Sequence, residues 1–259
     1  MRFFFVTGLG RSGSSFLAHL LDRAQGSCVA HEPFPDDFNY LPVARCGHSS
    51  RAVTSYLEHR RARIEASLPQ GVELYGEVNS LLRYCVPELR EVFDDPFIAL
   101  LARNGRDFVR SAYVRSVYTD HPTHAHVVPD DDDPWADRWR RFGRFEKLCW
   151  YWNHTNRSLL ERSLPVLRLE HELRDLDALR RQLLDPVGLQ VSEETFLALR
   201  DRRRNTSADY LGNLARGRWW RRLRGRRDDE AEALGPWTED REAVFQSICG
   251  ETMTELGYA

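Results

Sequence analysis

Lysine is nearly missing from this chain. Of its 37 basic side chains in 259 residues, Lys147 is the single lysine and all the others are arginine. A function that needs lysine at a particular place must use Lys147 or do without. Cysteine is sparse as well. Cys28, Cys46, Cys85, Cys149 and Cys249 are odd in number and widely spaced, with no CxxC pair. That spacing fits neither a disulfide framework nor a zinc site, and it suits a reducing compartment. An excess of either charge is lacking too, since the 37 basic residues face 39 acidic ones. This balance excludes a nucleic-acid binder that works through bulk positive charge. Long apolar runs are also absent. The run Phe3–Val6 turns polar at Thr7-Gly8, shorter than the roughly 7–15 apolar residues of a signal peptide. No stretch approaches the roughly 18 residues of a membrane span. A cytoplasmic protein is the expectation.

Short apolar runs alternate with helical patterns, which predicts βα units around a mostly parallel sheet. The expected strands are Arg2–Thr7, Cys28–His31, Val72–Gly76, Phe97–Ala102 and Val166–Leu169. Helical periodicity covers Ser14–Arg23, Ala52–Ser67, Ser80–Phe93, Phe108–Tyr118, Phe142–Ser163, Ser192–Arg203 and Thr238–Leu256. The expectation is one domain over residues 1–259, with loop or lid insertions at 120–135 and 203–236. The first insertion carries His121, His124, His126 and the run Asp130–Asp133. Those histidines lack a helical or strand framework, so no metal site is expected. The second contains Arg216–Arg227, with seven arginines and two tryptophans. It reads as a solvated lid or as a contact for an anionic membrane surface or acceptor.

The sharpest signal follows the first strand: Thr7-Gly8-Leu9-Gly10-Arg11-Ser12-Gly13-Ser14-Ser15-Phe16-Leu17. Glycines let the backbone turn tightly, and a helix starting near Ser14 adds free N–H groups and a positive dipole end. Together they make an anion cradle. Gly8 and Gly13 have Walker A spacing, but Ser14 stands where that motif requires lysine. Arg11 supplies the charge from inside the loop instead. The missing lysine counts against a kinase or ATPase, which would place that charge on the transferring phosphoryl group.

This loop, followed by His31-Glu32-Pro33, resembles the 5′-phosphosulfate loop of sulfotransferases that use 3′-phosphoadenosine 5′-phosphosulfate (PAPS). The branch it resembles includes the carbohydrate and tyrosylprotein sulfotransferases, whose loop carries arginine where cytosolic members carry lysine. The resemblance implies a P-loop-type three-layer α/β fold. It also implies that Arg11, Ser12, Gly13, Ser14 and Ser15 bind the donor's 5′ side. The family grips the donor's 3′-phosphate with a pattern close to R-[DN]-[PG]-[RK]-x-x-x-x-S-x-x-x-R. Here Arg103-Asn104-Gly105-Arg106 precedes Ser111 and Arg115 in that spacing. Ser111 and Arg115 would share one helical face, where a guanidinium fork and a hydroxyl can hold one dianion. Leu164–Glu170 resembles the family's "LPVxxYE" strand, with Leu169 at the tyrosine position. Phe145–Asn153 and Ile248–Tyr258 resemble later helices.

Sulfuryl transfer requires a base for the acceptor proton and positive charge for the leaving phosphate. The resemblance implies Glu32 as base, 21 residues after Arg11, as in tyrosylprotein sulfotransferases. His31 is the rival base. Neighbours on a strand point to opposite faces, so only one of the two is expected at the acceptor. Arg11 and the loop N–H groups would stabilise the leaving group. The relatives' lysine near the third strand is absent from Tyr75–Ser80. Its role falls to Asn79, to an arginine from elsewhere, or to nothing, and Glu77 contacts the acceptor or acts as a second acid or base. Arg204 or Asn205 would touch the 3′-phosphate. The stretch Pro33-Phe34-Pro35-Asp36-Asp37 would repel an acidic peptide, so a hydroxyl on a sugar, lipid or small natural product is the expected acceptor. The alternatives are a P-loop small-molecule or nucleotide kinase, and a non-catalytic nucleotide-binding module.

Overall fold

The computed structural model describes residues 1–42, 50–114, 117–118, 127–200 and 234–258. Five strands, β1 (Arg2–Gly8), β2 (Ser27–His31), β3 (Leu74–Val78), β4 (Phe97–Ala102) and β5 (Val166–Arg168), form one sheet in the order β2-β3-β1-β4-β5. Every pairing is parallel. The α/β architecture expected from the alternation of strand and helix patterns is therefore present. Phe4 and Val6 of β1 face a core shared with Leu17, Leu20 and Leu21 of the helix Ser14–Leu21. Phe3 and Phe5 on the opposite side meet Phe93 edge-on, each at 4.9 Å between ring centroids. A central parallel strand covered on both faces reads as a continuous apolar run, as Phe3–Val6 does.

The chain divides into two compact units. The first comprises Met1–Arg103 and Thr155–Arg202 and holds the whole sheet. The second comprises Asn104–His154 and Arg203–Ala259. In the second, Trp152 packs near Phe245 of the closing helix Glu239–Glu255, and the Cys249 thiol donates to the Cys149 carbonyl at 3.3 Å. Asp133, last of the aspartate run, accepts from the Trp150 indole at 3.0 Å and lies 3.5 Å from His154 Nδ1.

Several segments differ from expectation, among them short helices at Asp37–Tyr40 and Ala136–Trp139. β3 begins and ends two residues later than the apolar pattern suggests, pairing Arg2 with Leu74 and Val6 with Val78. Glu77 thus lies within the strand and is buried. The expected helix Ser80–Phe93 is a 3₁₀ turn, Ser80–Tyr84, followed by a separate helix, Val86–Val92. Pro87 lacks an N–H and is accommodated only in a first turn. Helical segments between Leu176 and Val187 were not expected. Asp175 starts them by accepting from the Asp177 and Ala178 amides, both at 2.9 Å, and Gly188 ends them at φ 78°. Among the described residues no helix is long and apolar enough to cross a membrane.

Candidate functional site

Ligands of open parallel sheets bind at the carboxyl ends of the strands, where connections diverge to either side. β1 sits between β3 and β4, and the loop Leu9–Gly13 leaves its carboxyl end. Gly8 is required there by close approach, since a Cβ at that position would lie 2.2 Å from the Leu101 carbonyl oxygen. Two residues of the loop turn left-handed, Arg11 at φ 76° and Gly13 at φ 93°. The helix Ser14–Leu21 then begins without a side-chain cap. Its first amides have no partner within the helix and carry the positive end of the dipole.

The ends of the other strands converge on this loop. From β2, His31 Nε2 lies 3.0 Å from Ser14 Oγ and 3.5 Å from Ser15 Oγ. Glu32 breaks the alternation of the strand because its backbone turns left-handed, at φ 45°. Its Oε1 accepts from the Ser80 hydroxyl at 2.7 Å and the Ser80 amide at 3.3 Å. Ser80 Oγ is also the nearest atom, at 4.0 Å, to a Cβ built on Gly10 of the loop. Both neighbours, His31 and Glu32, therefore sit beside the loop, in place of the single one expected from strand alternation. Left-handed backbone at two non-glycine residues, Arg11 and Glu32, costs about 1–3 kcal/mol each unless the surroundings enforce it. From β4, Arg103 Nη1 donates to the Arg11 carbonyl at 2.9 Å, with Nε 4.0 Å from Glu170 Oε1 past β5. Leu169, at the tyrosine position of the resemblance, packs on the loop, its Cδ1 being 2.7 Å from a Cβ placed on Gly13. Ser12 is buried.

The remaining expected residues belong to the second unit or fall outside the described residues. Ser111 is buried in the helix Gly105–Val114 of the second unit. Arg115, the three histidines of the first insertion, Arg204, Asn205 and Arg216–Arg227 lie outside the described residues. Arg106 is bound to Glu242, with Nη2 to Oε1 at 2.5 Å and Nε to Oε2 at 3.0 Å. This pair, joined by the Trp237 indole at 2.6 Å, holds the Glu242 carboxyl down at about 2.

Behind Glu32 lies a buried polar cluster that residue patterns did not reveal. Arg60, on the helix Ser50–Ser67, is 1% exposed, and Asp37, Glu77 and Asn79 are fully buried. Arg60 Nε donates to Asp37 Oδ1 at 3.2 Å, and Nη2 donates to Asp37 Oδ2 at 3.3 Å and to Glu77 Oε1. The Asn79 amide donates to Asp37 Oδ2 and Glu77 Oε1, both at 2.7 Å. Tyr56 and Tyr75 hydroxyls complete the set, donating to Asp37 Oδ1 at 2.7 Å and Glu77 Oε2 at 3.2 Å. Burial pushes the Glu77 carboxyl up, against the lowering pull of Arg60. With no exposed surface, Glu77 and Asn79 act inside this cluster and not against an acceptor.

The groups at the loop are therefore the helix-start amides, two serine hydroxyls and the Arg103 guanidinium, with one carboxylate and one imidazole beside them. Amides at a helix start, hydroxyls and a guanidinium are groups that suit an anion. The fold and the site together define an α/β protein with a lysine-free, glycine-containing loop at the carboxyl edge of its parallel sheet. No family model matches the chain, and no curated protein matches it. Among solved structures, it is similar to a sulfotransferase from Alicyclobacillus acidocaldarius, with 15% identity over 83% of this chain and 91% of that one and a TM-score of 0.49. It is also similar to sulfotransferase STF9 from Mycobacterium avium, with 13% identity over 98% of this chain and 76% of that one and a TM-score of 0.45.

Proposed function

We propose that this chain is an enzyme that transfers a sulfuryl group from PAPS to an acceptor hydroxyl. The observation that carries the reading is the convergence of Arg11, Ser14, Ser15, His31, Glu32 and Arg103 on one loop that has no lysine. In this mechanism the acceptor oxygen attacks the sulfur in line as the bridging S–O bond to the 5′-phosphate breaks. The acceptor proton passes to Glu32, and adenosine 3′,5′-bisphosphate leaves. Arg11 and the amides at the start of Ser14–Leu21 stabilise the charge that develops on the departing phosphate. Ser12, Gly13, Ser14 and Ser15 line the 5′ side, and Arg103, Ser111 and Arg115 hold the 3′-phosphate. A sugar, lipid or small natural product supplies the hydroxyl, and Arg216–Arg227 contacts an anionic membrane when the acceptor is a lipid. No metal ion enters the transfer.

Calorimetry with adenosine 3′,5′-bisphosphate and with ATP–Mg²⁺ tests the donor class. Binding of the first and not of the second supports the reading; the reverse result makes the chain a kinase-like protein. Arg11→Ala and Arg103→Ala each remove a charge-assisted phosphate contact of roughly 1.5–3 kcal/mol, so bisphosphate affinity should fall about 10- to 150-fold. Unchanged affinity in either variant removes that residue from the site. Bisphosphate release from PAPS in an acceptor screen tests catalysis, and no release with any acceptor favours a non-catalytic module.

A further inference from the structure

We infer that the buried cluster of Arg60, Asp37 and Asn79 is a positioning device that fixes Glu32 beside the phosphate loop; this rests on the assignment of Glu32 as base. Glu32 is held from two directions, and both lead to one guanidinium. The first runs along the chain. Five residues after Glu32, Asp37 is fully buried and clasped by Arg60 Nε and Nη2 at 3.2 and 3.3 Å. That contact anchors the segment that leaves the left-handed turn at Glu32.

The second runs through space. Asn79 is fixed by its amide to Asp37 and Glu77, while its Oδ1 accepts the Leu81 amide at 2.9 Å. Its backbone is equally constrained: the amide donates to the Val6 carbonyl at 2.9 Å, and Thr7 Oγ1 donates to the Asn79 carbonyl at 2.9 Å. Ser80, the next residue, therefore has a set place, and its hydroxyl and amide both donate to Glu32 Oε1.

Arg60 thus compensates two carboxylates, and the two halves of the site, the chain after β2 and the chain after β3, are tied to the same cation. Among the described residues Arg60 Nη1 has no hydrogen-bond partner, and the Cζ atom lies 4.4 Å from the centre of the Phe34 ring. Phe34 belongs to the segment Pro33–Asp36 that joins Glu32 to Asp37. The guanidinium therefore touches that segment as well as its end. A carboxylate whose partners are preset loses little order when it accepts a proton, which is what a positioning shell contributes.

The test has a kinetic arm and an arm independent of turnover. Ser80→Ala removes the last link while sparing the cluster, and Asn79→Ala removes the link before it. Each should lower kcat about tenfold with bisphosphate affinity within about twofold. Each should have little further effect on kcat in a Glu32→Gln background, because they act through Glu32. Ser80→Thr, which restores the hydroxyl, should recover most of the rate. Full additivity with Glu32→Gln, or an unchanged kcat, overturns the proposal.

Amide hydrogen exchange provides the second arm. In Asn79→Ala, protection of the Glu32 and Ser80 amides should fall at least about tenfold, while Val6 and Ala99 within the sheet keep theirs. Should Asn79→Ala fail to fold, Tyr56→Phe, which removes one hydrogen bond to Asp37, is read in the same way. Unchanged exchange at Glu32 and Ser80 overturns the positioning role whatever the activity. If the wild-type chain releases no bisphosphate and Asn79→Ala still shows the expected loss of protection, the assignment of Glu32 as base is refuted and the positioning geometry stands.

Discussion

Gly13→Ala probes the loop after β1 most directly, because two separate penalties can be worked out from its surroundings. The first is backbone conformation. Gly13 has φ 93° and ψ 12°, a left-handed region that costs an alanine about 1–2 kcal/mol. The second is space, since the new Cβ would lie 2.7 Å from Leu169 Cδ1 and 3.2 Å from Leu173 Cδ2. Both atoms are ends of flexible side chains, so repacking relieves part of the overlap and leaves about 1 kcal/mol. The sum is about 2–3 kcal/mol, or a fall in Tm of about 4–12 °C for a chain of this size. Urea denaturation followed by circular dichroism measures it. Adding Leu169→Ala should relieve the second penalty and not the first, and Gly13→Asn should be milder than Gly13→Ala because asparagine tolerates the left-handed region. Bisphosphate binding should weaken in parallel, since the amides at the helix start move with this residue. A Gly13→Ala chain that unfolds at the same urea concentration as the parent would refute the left-handed assignment and the packing of Leu169.

Three further outcomes follow from other parts of the structure. Gly76→Ala should destabilise by roughly 1–3 kcal/mol or more, because its Cβ would fall 2.0 Å from Phe4 Cζ; Phe4→Leu in the same chain should recover part of the loss, and thermal melts of the two variants decide it. Glu242 is held down at about 2, first by its hydrogen bonds to Arg106, so its contribution is complete above about pH 4.5 and is lost as pH falls through 2. The carboxylate is 35% exposed, and solvent screening reduces the contribution to about 1 kcal/mol or less; Glu242→Gln should therefore flatten the acid limb of a stability-against-pH curve. Thr238 Oγ1 accepts the Arg241 amide at 3.3 Å at the start of the closing helix, and Thr238→Ala should cost about 1 kcal/mol by denaturant titration, with Thr238→Ser close to the parent.

The strands whose faces are wholly apolar, β1 and β4, could be read from residue pattern alone, and so could the loop after β1, where the glycines and hydroxyls have no other common purpose. The end of β3 is hard to read, because a glutamate inside an apolar run looks like an end. Glu77 instead continues the strand, and the charge that compensates it comes from Arg60, 17 residues away in sequence. Arg60 itself gave no local signal. It stands among Arg51, Arg61 and Arg63 on one helix, where arginines ordinarily form a solvated face, and burial of one of them is decided only by what the sheet brings beneath it. The left-handed turn at Glu32 was equally hidden, since nothing in His31-Glu32-Pro33 distinguishes a residue that continues the strand from one that reverses its side. The Arg103 link to the loop is of another kind. Its place at a strand end was readable, but its hydrogen bond to the Arg11 carbonyl depends on β1 and β4 being neighbours.

The trio of Asp37, Arg60 and Glu77 also bears on how this protein can change over generations. Replacing Arg60 by a neutral side chain strands two buried carboxylates, a loss of about 3–5 kcal/mol, which is a large part of the stability of an ordinary domain, whereas replacing Asp37 or Glu77 leaves a balanced pair. Replacing all three by apolar side chains of similar volume need carry no such penalty. Arg60 is thus barred from drifting while both carboxylates remain. Descendants of this chain that lose Arg60 should lose the two carboxylates with it, and an aligned set of relatives in which Arg60 is replaced while Asp37 and Glu77 stay acidic would contradict that inheritance.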